Sequence, residues 1–419
     1  MSTTTLQPSW QRDAQTIGLI GLAHGTSHFF HLLLPPLFPV LMSQFDLSFT
    51  QCGLLTTVFF LVSGVGQALA GFVVDRIGPF PVLLFGIGAL GCSGLLLGSA
   101  SNYEMLVAVA AIAGAGNSIF HPADFTILNQ KVSAPRLGHA FSSHGLAANL
   151  GWAAGATFMG AVSVSYGWHT AGFGAGAIAW LVLLILLVCR RTLRAQSPHH
   201  IAAAKRRTSP ASNAGSAFGF LGSAAVWMCF AFFLLGTGAF AVLQNFAPAL
   251  LGHVYRVGPA VATAALTAYL LGGASGMVLG GFVAARVERN ETTVGIALGI
   301  SACLSIWLAF GTVPAWSLLG LLAAMGFGVG VAGPNRDLLV RRAATARFGA
   351  SSYGRVYGFV YSGLDAGMAV IPVVFGGLLD AGLFRTALAG IAVLQVGALL
   401  SAFGVGNQAS APASRARAA

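Results

Sequence analysis

The sequence predicts an all-α polytopic membrane protein, with twelve transmembrane helices arranged as two six-helix repeats. Three observations carry that expectation. First, 56% of the 419 residues are hydrophobic and only 7% are charged, and mean hydropathy is +0.81. Soluble domains carry about 25% charged residues, and so few charges cannot solvate the surface of a soluble fold of this length. Second, the apolar runs reach roughly 20 residues or more, which suits helices rather than the ~10-residue alternating strands of a barrel. Third, the second half repeats the first in order. Gly71-Phe72 with Arg76 recurs as Gly281-Phe282 with Arg286, an offset of 210; Gly114, Gly116 and Pro122 recur as Gly326, Gly328 and Pro334, an offset of 212; Gly138 and Gly151 recur as Gly354 and Gly367, an offset of 216. Parallel six-helix repeats joined by a linker account for all three matches.

Taken in order, the spans run over 16–43, 50–75, 80–100, 104–130, 138–164, 168–189, 219–247, 257–285, 292–312, 315–340, 353–379 and 383–405. The division expected is an N-terminal bundle over 1–189, a basic linker over 190–217, a C-terminal bundle over 218–406 and a disordered tail over 407–419. The linker is polar and rich in Ser, Ala and Pro, with Arg190, Arg191, Arg194, Lys205, Arg206 and Arg207. The 56 glycines suit close helix packing in lipid, and pairs such as Gly272-Gly273 and Gly280-Gly281 read as packing positions rather than phosphate loops.

The net charge of +11 comes from Lys and Arg spread over the loops, so it points to topology rather than to nucleic-acid binding. With the N-terminus inside, eighteen basic residues fall on the cytoplasmic side and only Arg256 and Arg385 outside, leaving Arg336 within a span. Both termini and the linker are therefore expected in the cytoplasm, with the chain in the inner membrane. The N-terminus lacks the pattern of a cleaved signal peptide. The five cysteines lie in or beside separate runs with no Cys-x-x-Cys, so no disulfide framework and no metal site is expected.

The stretch GFVVDRIG, with Gly71, Asp75, Arg76 and Gly78, resembles the gating signature of the major facilitator superfamily between its second and third helices. Here Pro79, Phe80 and Pro81 replace the basic residues that follow, and Ala285 replaces the acid in the second copy. More narrowly, Ser27-His28-Phe29, Leu47-Ser48 with Gln51-Cys52-Gly53-Leu54, and Phe120-His121-Pro122 resemble the fosmidomycin-resistance-like branch, a likeness concentrated in the first 150 residues. The resemblance implies a secondary transporter in which the first, fourth, seventh and tenth helices line a central cavity. That branch's members are known as drug or small-anion exporters. The drug-antiporter motif of the fifth helix carries a Gly-Pro pair, and Gly151-Trp152-Ala153-Ala154-Gly155 has no proline.

The most unusual segment is GAGNSIFHPADF, starting at Gly114. Its Asn117, His121 and Asp124 share one helix face, and Pro122 is expected to bend the helix. Ionisable groups inside hydrocarbon are costly and mark pathways. His24, His28 and His31 likewise share a face of the first helix. Histidine, with an unperturbed pKa of about 6.5, suits proton relay or anion binding; the alternative is plain hydrogen bonding between helices. His28 or His31 is expected to act with His121, and His24 is a secondary candidate. A carboxylate one turn from His121 makes Asp124 a protonation switch, or else it pairs with Lys131 or Arg136 as a gate. Arg336 either binds an anionic substrate or pairs with Asp124, Asp337 or Asp365. On the eleventh helix Tyr353, Tyr357, Tyr361 and Asp365 form a stripe, the tyrosines read as packing and Asp365 as a buried functional carboxylate. His144, Asn149, Gln244, Asn245, Asn335, Asp337 and Tyr361 are secondary cavity-lining candidates.

One histidine cluster resembles a single box of a membrane di-iron enzyme, but no matching boxes follow, so catalysis is not expected. No G-x-x-x-x-G-K-[ST] exists to bind nucleotide. The expectation is a monomeric secondary transporter without cofactor, moving a small anionic or amphipathic organic solute by alternating access. Proton-coupled export comes first and proton-coupled uptake second, with substrate, protons and the lipid bilayer as partners and no nucleic acid.

Overall fold

The structure, a computed structural model, describes residues 10–133, 136–194, 219–284, 286–287, 289–348 and 353–415. Linker residues 195–218 lie outside that set. The described residues form helices and no strand. In order they are α1 (Trp10–His31), α2 (Phe38–Phe45), α3 (Phe49–Ile77), α4 (Pro79–Gly98), α5 (Tyr103–Asn117), α6 (Phe120–Lys131), α7 (Leu137–Tyr166), α8 (Trp168–Val188) and the short α9 (Arg190–Leu193). Then follow α10 (Ala224–Tyr255), α11 (Pro259–Ala284), α12 (Asn290–Phe310), α13 (Leu318–Phe348), α14 (Tyr353–Asp380) and α15 (Phe384–Arg415).

Eleven stretches among the described residues are long and apolar enough to span a membrane, α1 with α2 and α5 with α6 each counting as one. The 30-residue α7 is the twelfth long helix. It carries Ser142, Ser143, His144 and Asn149 in its first half, which dilutes its apolar character.

Local chemistry sets the boundaries. Pro35 and Pro36 stop α1, since the residue before a proline avoids the helical region, and α2 ends at Asp46 in the left-handed conformation (φ 52°). Ser48 and Gln51 then start α3 by a reciprocal cap: the Ser48 N–H donates to Gln51 Oε1 (2.8 Å) and the Gln51 N–H donates to Ser48 Oγ (3.1 Å). Gly78 joins α3 to α4 at φ 89° and ψ 160°, a conformation that glycine alone adopts readily, and Pro79 follows at the first helical position, where its missing N–H costs nothing.

Several boundaries differ from those the sequence suggested: the first span, expected over 16–43, is divided into α1 and α2, and the tenth, expected to stop at 340, runs to Phe348. The seventh span was expected to stop at 247, yet α10 continues through Pro248 to Tyr255; neighbouring helices tolerate a proline kink that an isolated helix would not. The tail expected to be disordered from 407 is helical to Arg415.

Two compact units form. One holds residues 1–34 and 61–211, the other 35–60 and 212–419. Packing therefore assigns α2 and the first half of α3 to the second unit. There the Asp380 carboxylate accepts from the Phe49 N–H (2.6 Å), the Thr50 N–H (2.9 Å) and the Thr50 hydroxyl (2.5 Å), capping α3 from the end of α14. Further along, the Thr56 hydroxyl donates to Asn245 Oδ1, and the Thr57 hydroxyl to the Ala369 carbonyl.

Within each unit the repeated glycines do equivalent work. A Cβ at Gly151 of α7 would fall on the Gly25 carbonyl of α1, and one at Gly367 of α14 would fall on the Leu234 carbonyl of α10. A Cβ at Gly116 would lie 2.9 Å from the Gly86 carbonyl, and one at Gly328 2.8 Å from the Ala297 carbonyl. Helices α11 and α13 meet along a seam in which Gly272, Gly276, Gly280, Gly326 and Gly330 all face backbone of the other helix. Gly281, expected to pack with Gly280, faces open space; it sits about 100° further round the helix.

Candidate functional site

The ionisable core of the first unit is assembled from α1, α3, α5, α6 and α7. Glycines decide how near α1 and α7 come. With Gly25, Gly151 and Gly155 at the crossing, the backbones approach closely and the histidines of α1 reach side chains of α7. The fourth span breaks at Ser118 and Ile119, between α5 and α6. Pro122 then lies in the first turn of α6, where a missing N–H is tolerated, so the expected bend is an interruption one turn upstream.

Asn117, last residue of α5, ties three helices together. Its Oδ1 accepts from Ser27 Oγ (2.8 Å) and from His31 Nε2 (2.9 Å), and its Nδ2 donates to Ser63 Oγ (2.8 Å). The Trp152 indole N–H of α7 donates to His31 Nδ1 (3.1 Å). Together these partners select the His31 tautomer that carries its proton on Nε2. His121 turns its Nδ1 to Gln67 Oε1 (2.8 Å) on α3, and its residue reaches the surface of the unit.

Asp124 is fully enclosed. His24 Nδ1 and His144 Nε2 each lie 3.1 Å from its Oδ2. The two rings stack with centroids 3.4 Å apart at 24°. His28 continues the chain of rings, 4.6 Å from His24 and 4.5 Å from His31, with the Trp152 ring edge-on against it at 4.6 Å. Five histidines and one carboxylate thus form one connected cluster.

The expected gate pairing of Asp124 is replaced by these histidines. Arg136 instead binds Asp13 (2.7 Å), which also accepts from Ser133 Oγ (2.5 Å), clamping the start of α1 to the loop before α7. Nor does His121 pair with Asp124: helical spacing brings them to one face, but Gln67 captures the ring. Sequence reasoning ranked His24 and His144 as secondary and passed over Gln67, Ser63, Trp152 and Asp13. Gln67 and Ser63 were signalled by being polar within an apolar run; the contacts of Trp152 depend on the glycine crossing, which spacing alone does not reveal.

Sites expected in the second unit are dispersed. The Arg336 guanidinium lies over the Phe233 ring, 4.3 Å from its centroid, a cation–π contact. Asn335 is fully buried between helices, accepting from Asn290 Nδ2 (2.9 Å) and donating to the Val331 carbonyl (2.9 Å), so it is a packing residue rather than a cavity-lining one. Gln244 and Asn245 are likewise buried, Asn245 donating back to the Ala241 carbonyl (2.8 Å). Asn149, in the first unit, donates to the Gly145 carbonyl of its own helix (3.1 Å). Asp365 is half-buried rather than enclosed, and no ion-pair partner reaches it among the described residues. Tyr361 packs on Phe233 at 4.6 Å. The side chains of Asp75, Asp337, Tyr353 and Tyr357 lie outside the described residues. Within the gating motif, Arg76 is exposed and Gly71 has open space beside it. A separate cavity of about 650 Å³, lined by Pro39, Phe49, Pro248, His253 and Arg256 among others, opens beside the end of α10.

Known proteins share this architecture. The chain is similar to the fosmidomycin resistance protein of Escherichia coli (strain K12), 31% identical over 172 residues that cover 41% of this chain and 40% of that protein. It is similar along most of its length to the uncharacterized MFS-type transporter YfnC of Bacillus subtilis (strain 168), 26% identical over 394 residues and 91% of each. Among solved structures it shares the fold of a bacterial homolog of the human lysosomal transporter Spinster, in an inward-facing and unoccupied conformation. That match has a TM-score of 0.72 and 16% identity, and covers 96% of this chain and 98% of the other. The model of the Major Facilitator Superfamily matches residues 20–352, so the chain belongs to that superfamily, whose members are transporters rather than enzymes.

Proposed function

We propose that the protein is a proton-driven exporter of small anionic or amphipathic organic molecules, lying in the cytoplasmic membrane with both termini inside. The observation that carries this reading is Asp124, sealed within the first unit with two imidazole nitrogens at 3.1 Å. An intramembrane carboxylate among histidines is a costly arrangement, and proton relay is a principal use of such groups in membranes. His121, at the surface of the unit and with its ring 5.4 Å from that of His24, is the proposed way out of the cluster. The excess of basic residues in the inner loops supports the orientation. One relative is named for fosmidomycin resistance, which favours export and places fosmidomycin first among the substrates to try. Arg336 supplies positive charge to the second unit and is the proposed contact for the anion.

The test is flux in chelator-treated proteoliposomes carrying an imposed pH gradient, against a panel of phosphonates, carboxylates and lipophilic drugs. Wild-type protein is expected to move at least one compound against its gradient, in exchange for protons. Asp124→Asn is expected to lose the proton-driven accumulation while still exchanging labelled for unlabelled substrate at equal pH. Accumulation by Asp124→Asn at the parental rate would remove Asp124 from the coupling role, and flux with the proton gradient, rather than against it, would make the protein a symporter.

A further inference from the structure

We propose that His24, Asp124 and His144 also form a binding site for one divalent transition-metal ion of the zinc and nickel class. The inference uses the residues of the proposed proton path but stands on their geometry alone. His24 Nδ1 and His144 Nε2 each lie 3.1 Å from Asp124 Oδ2, and the three ligand atoms fall within 4.8 Å of one another. Around an ion with bonds of about 2.0–2.2 Å, adjacent tetrahedral ligand atoms stand about 3.3–3.6 Å apart. The two spacings to the carboxylate are therefore near those required without the ion.

The second observation is unused bonding capacity. His24 Nδ1 is beside the carboxylate but not aligned to hydrogen-bond with it, and Asp124 Oδ1 has no hydrogen-bond partner. All three residues are buried. Buried polar atoms are normally satisfied, so orphans pointing into one small space indicate a missing partner. His28 Nδ1 is a third such atom, on a ring 4.6 Å from that of His24, and is placed to act as a partner for the bound histidine. His121, exposed at the edge of the cluster, gives an entry path.

The donor set selects the class of ion. Two imidazoles and a carboxylate suit borderline divalent ions; magnesium and calcium prefer all-oxygen shells, and copper(I) prefers sulfur. The His24 and His144 rings stack at 3.4 Å, closer than two imidazoles sharing an ion, so entry of the metal rotates them apart. The ion joins α1, α6 and α7 and occupies the atoms a proton would use, so metal and proton exclude each other.

The experiment uses untagged, chelator-washed, full-length protein with His199 and His200 replaced by alanine to remove a competing linker pair. Zinc chloride is added, unbound ion is removed, and retained zinc is counted by elemental analysis. One zinc per chain is expected, with loss of that zinc in Asp124→Asn and in His24→Ala and retention in His253→Ala. X-ray absorption at the zinc edge of the wild-type protein needs no folded variant and is expected to show two imidazoles and an oxygen ligand. No retained zinc, equal retention in both cluster variants, or an edge spectrum without imidazole each overturns the proposal. Stoichiometric zinc in a protein that shows no proton-driven flux removes the function proposed above and leaves the metal site standing; proton-driven flux without zinc binding does the reverse.

Discussion

Replacing Gly276 by alanine puts a methyl group into the seam between α11 and α13. The new carbon would stand 2.9 Å from the Phe327 carbonyl carbon and 3.0 Å from its Cα, and nearer still to the oxygen. Carbon atoms rest at about 3.5–4.0 Å, so the helices must part by roughly 0.5–1 Å. Gly272, Gly280, Gly326 and Gly330 share that seam and lose contact when it opens. A radial gap of that size forfeits about a quarter to a half of each dispersion well, and overpacking of this kind costs about 1–3 kcal/mol. Alanine also gains up to about 1 kcal/mol over glycine in helix propensity, which would blur a single measurement.

Gly281→Ala removes that ambiguity. It lies on the same helix, gains the same propensity, and its Cβ meets nothing within 4 Å. The difference between the two variants isolates the steric term, about 1–3 kcal/mol in favour of Gly281→Ala. The measurement is the temperature at which detergent-solubilised protein leaves the monodisperse peak on size exclusion. Gly276→Ala should melt several degrees below Gly281→Ala, which should match or exceed the parent. If Gly276→Ala melts with or above Gly281→Ala, close packing along the seam is not what holds these helices together.

Three other outcomes follow from single contacts. Asp380→Ala strips the cap from α3 and should cost about 1 kcal/mol, lowering the apparent melting temperature; an unchanged melting curve would mean the cap is replaced by water. Trp152→Phe keeps a ring against His28 but removes the N–H on His31 Nδ1, so nitrogen-15 spectra should change from one His31 tautomer to a mixture, and a spectrum still showing the Nε2–H form alone would assign the tautomer to Asn117. Arg336→Lys keeps the charge and loses the planar fork, so KM for an anionic substrate should rise with kcat little changed; equal KM values would take Arg336 out of substrate binding.

Much of the frame was readable because it rests on local chemistry. Apolar run lengths give the helices, and Ser48 with Gln51 starts α3 next to the expected edge at 50; the first span, expected unbroken over 16–43, is instead divided near Pro35 and Pro36 into α1 and α2. The polar cluster was only half readable. Helical spacing correctly brings His24, His28 and His31 to one face and Asn117 and Asp124 to one face. The antiparallel register then matches Asn117 to Ser27 and His31, and Asp124 to His24. What spacing cannot supply is the third helix. His144 reaches Asp124 only because α7 crosses α1 at Gly25, Gly151 and Gly155, a contact between segments more than a hundred residues apart. For the same reason Lys131 and Arg136, near in sequence, stood as alternative partners for Asp124, which instead meets His24 and His144.

The internal repeat shows which level of the design is duplicated. Gly151 and Gly367 meet the first helix of their own unit in the same way, α1 and α10, and Gly116 and Gly328 do so against α4 and α12. Asp124 and Arg336 also occupy corresponding positions, 212 residues apart, and each touches the first helix of its own repeat: Asp124 meets His24 on α1, and Arg336 meets Phe233 on α10, 209 residues beyond His24. The contact is kept and its chemistry is reversed, an acid against an imidazole in one unit and a guanidinium against a phenyl ring in the other. Backbone approach constrains glycine at both copies, because a side chain there would collide with a carbonyl. A polar residue is constrained only by its partner, so each pair can change together. A repeat built this way supplies two similar scaffolds and leaves the ionisable groups free to differ. That freedom allows one unit to carry a histidine–carboxylate cluster suited to protons or a metal ion, while the other carries a cation placed on an aromatic face.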